Sequence, residues 1–256
     1  MPTDPLFYLV GLSAVFLIAF GKGAFGGGTA ILGVPLLALV VDPLTAAIMM
    51  APLVSAMDPF AIGAFPVRTW SWPDIAWLTP GMLAGLALGA LFFVSVDPHL
   101  VALAIAVTAL WFTARWFLKR NGEQARPAPV SPLKALVCGG LSGFTTFIAH
   151  GGAPPLAFYL LPRRLPKSVY AGTSVALFAF SNQIKLAIYV GIAFHDPYPF
   201  WLALALMPAI PVGVWAGKAL HDRLDENQLY FVCYLLICLG GVKLLYDSLL
   251  ALLGSS

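Results

Sequence analysis

The sequence predicts an all-α, polytopic membrane protein, and its composition, the length of its apolar runs and the placement of its charges support that class. Of the 256 residues, 60% are hydrophobic and 10% are charged, against roughly 45–50% and about 25% in soluble domains. The apolar residues form long uninterrupted runs, which favours helices over the alternating segments of a transmembrane barrel. The basic residues lie in short loops and form no dense patch, so no nucleic-acid partner is expected.

Six apolar runs are long enough to cross a bilayer, which takes about 20 helical residues. They are residues 45–67, 74–96, 98–118, 168–190, 199–219 and 229–250. Four shorter runs flank two glycine-rich breaks, Gly21–Gly28 and His150–Gly152, and these runs are residues 6–21, 29–41, 134–149 and 153–161. We expect each pair of short runs to form a re-entrant hairpin that is broken at its glycines. Two full crossings per pair is the alternative, and it leaves every loop on the same side.

The most polar interval, residues 119–133, is expected to be a cytoplasmic linker between the two halves. With this linker inside, eleven of the fourteen basic residues lie on the cytoplasmic side, as the positive-inside rule requires. These eleven are Arg68, Arg115, Lys119, Arg120, Arg126, Lys134, Arg163, Arg164, Lys167, Lys218 and Arg223. Both termini are then outside. The acidic start of the chain does not resemble a signal peptide, so we expect residues 6–20 to belong to the fold.

An internal repeat relates residues 1–118 to residues 134–256. Offsets of 124 and 128 residues align the following pairs: Phe20 with Phe144, Gly27 with Gly151, Gly28 with Gly152, Asp58 with Asn182, Pro80 with Pro208, Gly85 with Gly213 and Gly89 with Gly217. Because each half has a broken hairpin and three spans, an odd number, the second copy must be inverted in the membrane. Inverted repeats with interrupted helices are typical of secondary transporters. The alternative is that the glycines only allow close helix packing, which is the preferred interpretation for the last two pairs.

The two breaks are candidate anion-binding elements. A helix that restarts inside the membrane presents unpaired N–H groups and the positive end of its dipole, and glycine allows a ligand to approach closely. The sequence therefore predicts that the two helix starts face one shared cavity. The candidate substrate-binding residues of the breaks are Lys22, Phe25, Gly26, Gly27, Gly28, His150, Gly151 and Gly152. Phe25 and His150 have purely structural roles as alternatives.

A second polar group lies within the long spans. Asp58 is expected either to couple a proton to transport or to form a buried ion pair with Lys22 or Lys185. Asn182, Gln183 and Lys185 lie within about one helical turn, so they are candidates to complete the cavity. Lys185 has snorkelling to the outer end of its span as an alternative. The three cysteines have no metal-ligand spacing, and we expect no metal and no cofactor.

Two glycine motifs occupy corresponding places in the two halves. They read Gly-Ala-Phe-Gly-Gly-Gly-Thr-Ala-Ile-Leu-Gly-Val-Pro-Leu-Leu at 23–37 and Gly-Leu-Ser-Gly-Phe-Thr-Thr-Phe-Ile-Ala-His-Gly-Gly-Ala-Pro-Pro-Leu at 140–156, with Ala-Gly-Thr-Ser at 171–174. Through these motifs the chain resembles the sulfite exporter TauE/SafE family over roughly residues 6–250. The resemblance implies a bacterial inner-membrane transporter of sulfur-containing anions such as sulfite, thiosulfate or sulfoacetate. His150, where that family usually has glycine, and Lys22 depart from the pattern and add positive charge.

The sequence thus predicts a secondary transporter that moves small sulfur-containing anions by alternating access, with the substrate bound near the midplane. An anion channel with the same site is one alternative. An intramembrane hydrolase is another, although Ser142 lacks the Gly-x-Ser-x-Gly spacing and a carboxylate to orient a base. The expected partners are the anion, the lipid bilayer and a coupling proton or other ion. The particular anion, the direction of transport and a homodimeric assembly stay open.

Overall fold

The computed structural model describes residues 5–27, 29–92, 98–119, 127–192 and 198–254. The predictions for Gly28, for the two chain ends and for most of the linker lie outside these described residues. Within them, every regular element is helical, as the sequence predicts. The α-helices are α1 (Pro5–Phe25), α2 (Gly33–Leu37), α3 (Pro43–Ala64), α4 (Trp72–Phe92), α5 (Pro98–Lys119), α6 (Pro132–Ala149), α7 (Ala153–Leu160), α8 (Lys167–Ile192), α9 (Tyr198–Leu206), α10 (Ala209–Arg223) and α11 (Glu226–Gly254).

The chain is a multi-pass membrane protein. Four segments of the described chain are long and apolar enough to span a bilayer, namely Pro5–Phe25, Trp72–Phe92, Lys167–Gly191 and Glu226–Leu250. Helices α9 and α10, bent by 47° at their junction, make a fifth if the pair is one span. Helices α3 and α5 have 22 residues each. Helix α5 covers the predicted run 98–118, whereas α3 ends at Ala64, three residues before the end of the predicted run 45–67.

The predicted short run at residues 6–21 is wrong, because α1 continues to Phe25 and reaches 21 residues. A helix of that length measures about 31 Å and is long enough to cross. Within the predicted break, Gly21 and Gly23 belong to the helix and serve packing instead. A Cβ on Gly21 would lie 2.7 Å from the Cβ of Thr29, and one on Gly23 would lie 3.0 Å from the Cα of Val214.

The segment after the first break is shorter than a half-helix. It consists of a 3-10 turn at Thr29–Leu32 and the five-residue α2. The Thr29 Oγ1 donates a hydrogen bond to the carbonyl of Ile18 at 3.0 Å, which folds this segment back along α1. So few aligned peptide groups give a much smaller dipole than the helix start expected after Gly28.

The helices group into two compact units. The first contains Met1–Ser71 and Ala171–Asp225, and the second contains Trp72–Tyr170 and Glu226–Ser256. Each unit therefore combines segments from both halves of the chain. The predicted division into residues 1–118, 119–133 and 134–256 follows the two copies of the sequence repeat. It stays a prediction.

Equivalent helices pair within the two units. In the first unit α1 packs on α10, and in the second α6 packs on α4. The repeat relates α1 to α6 and α10 to α4, so the two pairings correspond. A Cβ on Gly213 of α10 would lie 2.7 Å from the carbonyl of Phe16, and one on Gly89 of α4 would lie 2.8 Å from the Cβ of Phe147. The packing interpretation of these glycines is confirmed, whereas the inverted orientation of the halves stays a prediction.

The apolar core of the first unit surrounds the site described next. Side chains of α1, α2, α3, α8, α9 and α10 form it, including the fully buried Met50, Leu53 and Met57 of α3. Because these apolar neighbours exclude water, a charged group placed among them must find a partner within the protein.

Candidate functional site

A buried carboxylate, Asp58 of α3, is the centre of a polar cluster in the first unit. Asp58 is 1% exposed. Lys22, in the last turn of α1, donates a hydrogen bond from Nζ to Asp58 Oδ1 and forms an ion pair with it. The same Nζ donates to the carbonyl of Val54 at 3.1 Å. The structure thus shows the ion pair with Lys22 that the sequence left as one alternative, and the coupling role of Asp58 stays a prediction.

Two carboxamides of α8 complete the surroundings of this carboxylate. The Nδ2 of Asn182 lies 3.2 Å from Oδ2 and 3.4 Å from Oδ1 of Asp58, and the Nε2 of Gln183 lies 3.3 Å from Oδ2. Asp58 therefore accepts hydrogen bonds from one ammonium and two amides. The repeat aligns Asp58 with Asn182, so two residues that the repeat relates are in contact here.

The local sequence of α3 explains why α8 approaches so closely. Pro59 follows Asp58 and has no N–H group, so the carbonyl of Ser55 receives no hydrogen bond from the residue four positions later. Gln183 donates to this carbonyl from Nε2 at 3.4 Å, and the Ser55 hydroxyl donates to the carbonyl of Asn182 at 3.2 Å. Sequence reasoning missed Ser55. The signal that pointed to it is the Asp-Pro pair inside an apolar helix.

Lys185 brings a second ammonium group to the cluster. It lies on α8, is 1% exposed, and interacts electrostatically with both Asp58 and Lys22. Such burial argues against the alternative that Lys185 snorkels to the end of its span. Gln183 is exposed, in contrast to these three charged residues.

The first glycine break lies just beyond Lys22, not around it. Phe25 is the last residue of α1 and is 8% exposed, which favours its packing role. Gly26 and Gly27 follow with φ of 77° and 127°, a backbone region that favours glycine. A Cβ on Gly26 would lie 2.5 Å from the carbonyl of Ala171, so glycine also permits the close approach of α8.

His221 of α10, which the sequence analysis missed, fixes the end of α1. Its Nδ1 lies 2.8 Å from the carbonyl of Ala24, and since a carbonyl only accepts, Nδ1 carries the proton. The ring stands edge-on to Phe65 at 4.9 Å and is fully buried. The last carbonyls of a helix have no intrahelical donor, and His221 supplies one. Its neighbours Asp222 and Arg223 are charged and exposed, so the local sequence carries no signal of this buried contact.

The second break, with His150, Gly151 and Gly152, lies in the other unit between α6 and α7. His150 ends α6 in the left-handed conformation, with φ of 52°, and Gly151 donates its N–H to the carbonyl of Thr145 at 3.1 Å. The Thr145 hydroxyl donates to the Gly151 carbonyl at 3.1 Å, and the Ser142 hydroxyl donates to the Gly152 carbonyl at 2.7 Å. Hydroxyls of α6 therefore hold this turn in place.

The start of α7 provides fewer hydrogen-bond donors than the sequence analysis expected. The helix begins at Ala153, and its next two residues are Pro154 and Pro155. Proline has no N–H group, so the first turn of this helix has lost two donors. Anion binding at this break would thus depend on His150, which is 5% exposed, more than on the helix end.

The second unit also contains a buried carboxylate, Asp74 at the start of α4. It accepts hydrogen bonds from the Tyr159 hydroxyl at 2.8 Å and from Arg163 Nε at 3.0 Å. Arg163 also donates to the carbonyl of Ala128. This network, which the sequence analysis missed, holds the end of α7 against the start of α4. Among the residues that the structure describes, no cluster of His, Cys, Asp or Glu suits a metal ion.

Comparison with known families gives one match. The model of the family described as Sulfite exporter TauE/SafE matches residues 11–244, nearly the whole chain. No curated protein and no solved structure matches the chain. The matched range includes the polar cluster of the first unit and the glycine break of the second.

Proposed function

We propose a transport function, and its premise is that the chain belongs to the sulfite exporter TauE/SafE family. The protein is a multi-pass membrane protein of a transporter family. In our proposal it is a secondary transporter that moves sulfite or an organosulfonate such as sulfoacetate across the bacterial inner membrane by alternating access.

The observation that carries this proposal is the set of donors around Asp58. An ammonium inside a membrane protein is costly unless an anion pairs with it. Lys22, Asn182 and Gln183 point their donors at one pair of carboxylate oxygens, and a sulfonate or sulfite ion offers oxygens of the same kind. We assign substrate binding to these three residues and to Lys185. The turn at Gly26–Gly27 positions Lys22, since the Gly26 N–H donates to the Lys22 carbonyl at 3.0 Å, and the buried Phe25 supports this end of α1 by packing.

Asp58 has the coupling role in this proposal. As an ionised carboxylate it holds Lys22, and as a neutral acid it releases Lys22 to pair with the substrate. The charged groups that face it are Lys22 from α1 and Lys185 from α8. One proton would then enter with each monovalent anion, so that transport of the pair is electroneutral.

The His150–Gly152 break contributes a further anion contact in this proposal, through the side chain of His150 and the backbone of Gly151 and Gly152. The linker at residues 119–133 faces the cytoplasm and both ends of the chain face outward, because the basic residues then lie inside. The corresponding pairings of α1 with α10 and of α6 with α4 support the inverted repeat.

Uptake into proteoliposomes tests the proposal. Purified protein should give saturable uptake of radiolabelled sulfite or of an organosulfonate above the level of empty liposomes. Lys22→Ala should lower the apparent affinity at least tenfold, because a charge-assisted contact of about 1.5–3 kcal/mol is lost. Lys243→Ala is the matched control, since Lys243 lies on α11 and pairs with Asp247 at a partly exposed position. Uptake rates equal to those of empty liposomes, for sulfite and for every organosulfonate tested, would refute transport. Large unitary currents would indicate a channel.

A further inference from the structure

The hydroxyl of Ser174, in the interior of α8, has no hydrogen-bond partner among the residues that the structure describes. The residue is 4% exposed. A serine inside a helix can satisfy its hydroxyl at a carbonyl of the preceding turn, as Ser181 of the same helix does at the carbonyl of Phe178, 3.1 Å away. Because a buried polar group without a partner is costly, Ser174 is a candidate to bind a group that comes from outside the chain.

The α8 residues one turn before and one turn after Ser174 both contact the glycine turn that follows α1. A Cβ on Gly26 would lie 2.5 Å from the carbonyl of Ala171, and one on Gly27 would lie 3.0 Å from the ring of Phe178. Residues three or four positions apart share one face of a helix. Ser174 is therefore on the face of α8 that meets the glycine turn, between the two points of contact.

The glycine turn adds a backbone donor next to this hydroxyl. The N–H of Gly26 is used, since it donates to the carbonyl of Lys22 at 3.0 Å. The N–H of Gly27 has no acceptor within the described part of the chain. Gly27 is half-buried, and having no side chain it allows a ligand to approach its backbone closely. The two donors, from Ser174 and Gly27, suit one carbonyl or carboxylate oxygen, which has two lone pairs.

The same face of α8 leads from Ser174 to the polar cluster around Asp58. Ser174, Phe178 and Asn182 follow one another at intervals of four residues, which places Ser174 and Asn182 about 12 Å apart along the helix axis. Each hydrogen bond spans about 3 Å, so an anion that reaches from one donor to the other needs acceptors about 6 Å apart. The oxygens of a sulfonate and of a carbonyl group separated by two methylene groups have such a spacing. Sulfite has acceptors at one end only.

We propose that Ser174 and the N–H of Gly27 form a second subsite, which binds an oxygen at the far end of an organosulfonate whose sulfonate group lies at Lys22 and Asn182. Phe178 lies between the two subsites, beside the methylene groups of the ligand. This inference rests on the proposed function and adds a specificity-determining contact to the same site. It favours organosulfonates with a carbonyl or carboxylate oxygen over sulfite and simple alkanesulfonates.

Two monovalent sulfonates with the same skeleton of heavy atoms isolate the contribution of the far oxygen. In 3-amino-3-oxopropane-1-sulfonate the far end is a carboxamide, and in 3-methylbutane-1-sulfonate two methyl groups replace its oxygen and nitrogen. Binding of each is measured at pH 7 on the detergent-solubilised protein by titration calorimetry, with the shift in unfolding temperature as a second readout. The measured quantity is the ratio of the two dissociation constants, which cancels effects common to both ligands.

Ser174→Ala should weaken binding of the carboxamide about fivefold or more, because a hydrogen bond to the ligand is lost. Binding of the methyl analogue should stay the same, since that ligand does not use the hydroxyl. Ser181→Ala is the matched control. It makes the same substitution on the same helix, and the hydroxyl that it removes is bound to the carbonyl of Phe178, so the ratio should stay at the wild-type value.

An unchanged ratio in Ser174→Ala would overturn the proposal. If Ser174→Ala does not fold, Ser174→Cys decides in its place, because a thiol is a weak donor of similar size, and an unchanged ratio refutes the subsite as well. When both sulfonates still bind and Lys22→Ala weakens them equally, the second subsite has failed and the proposed function stands. A wild type that neither binds nor transports either sulfonate refutes the proposed function and this inference with it.

Discussion

Replacing Lys22 by methionine should destabilise the protein by about 3–5 kcal/mol, the usual cost of removing one partner of a buried ion pair. The variant loses the ion pair with Asp58 and the hydrogen bond to the carbonyl of Val54. Asn182 and Gln183 still donate to the stranded carboxylate. Because these two amides remain, we expect a value near the lower end of the range, about 3 kcal/mol.

A second substitution shows how much of that cost belongs to the pair. Asp58→Asn alone leaves the Lys22 ammonium without its carboxylate, but the new amide oxygen still accepts a hydrogen bond. In the double variant Lys22→Met with Asp58→Asn, neither charge is stranded. The double variant should therefore be more stable than the sum of the two single losses predicts, by about 2 kcal/mol, since contacting residues couple by about 0.5–3 kcal/mol.

Equilibrium unfolding in detergent, followed by circular dichroism at pH 7, measures all four forms. Lys243→Met is the control for loss of a lysine, because its partner Asp247 is partly exposed and surface pairs contribute about 0–1 kcal/mol. If the loss of unfolding free energy in the double variant equals the sum of the two single losses within about 0.5 kcal/mol, Lys22 and Asp58 do not stabilise each other and the prediction is refuted.

Three further predictions concern the glycine turn, its support and the second break. Gly26→Ala should lower the free energy of unfolding by about 2 kcal/mol or more and impair transport, because its φ is 77° and the new Cβ would lie 2.5 Å from the carbonyl of Ala171. Gly191→Ala is the control: Gly191 has open space around it, so this variant should be as stable as the wild type or more stable in the same unfolding assay. His221→Ala should cost about 1–3 kcal/mol by leaving a buried carbonyl of α1 without its donor, and His221→Asn, which keeps an N–H donor, should recover part of that loss in thermal unfolding. His150→Gly should change stability by less than about 1 kcal/mol, since glycine tolerates φ of 52°, and should still weaken sulfonate binding in calorimetry; unchanged affinity would assign His150 a structural role alone.

Most of the helices could be predicted from the length of the apolar runs, because a bilayer requires long apolar helices. The end of α1 could not be. Gly21 and Gly23 look like helix breakers in a local window, and their packing partners Thr29 and Val214 explain why the helix continues. Val214 is remote in sequence, so no local pattern contains this contact.

The polar cluster around Asp58 could also be predicted only in part. Its contacts between side chains could be found from the sequence, since the repeat aligns Asp58 with Asn182 and a charge such as Lys22 in an apolar run requires a partner. Contacts between a side chain and the backbone could not be predicted. Ser55 and His221 donate to the carbonyl groups of Asn182 and Ala24. Every residue has a carbonyl group, so the residue type at the accepting position does not indicate such a contact.

The residues of the polar cluster come from both halves of the chain, so the cluster is also part of the contact between the two halves. Lys22 and Asp58 come from the first half, whereas Asn182, Gln183 and Lys185 come from the second. The hydrogen bonds that surround the Asp58 carboxylate are therefore also bonds between α3 and α8. An anion that takes these donors from Asp58 weakens that contact by an equal number of bonds, because each amide hydrogen serves one acceptor well. Substrate occupancy and the pairing of α3 with α8 are then linked thermodynamically, and a ligand shifts a conformational balance only through such a difference in contacts.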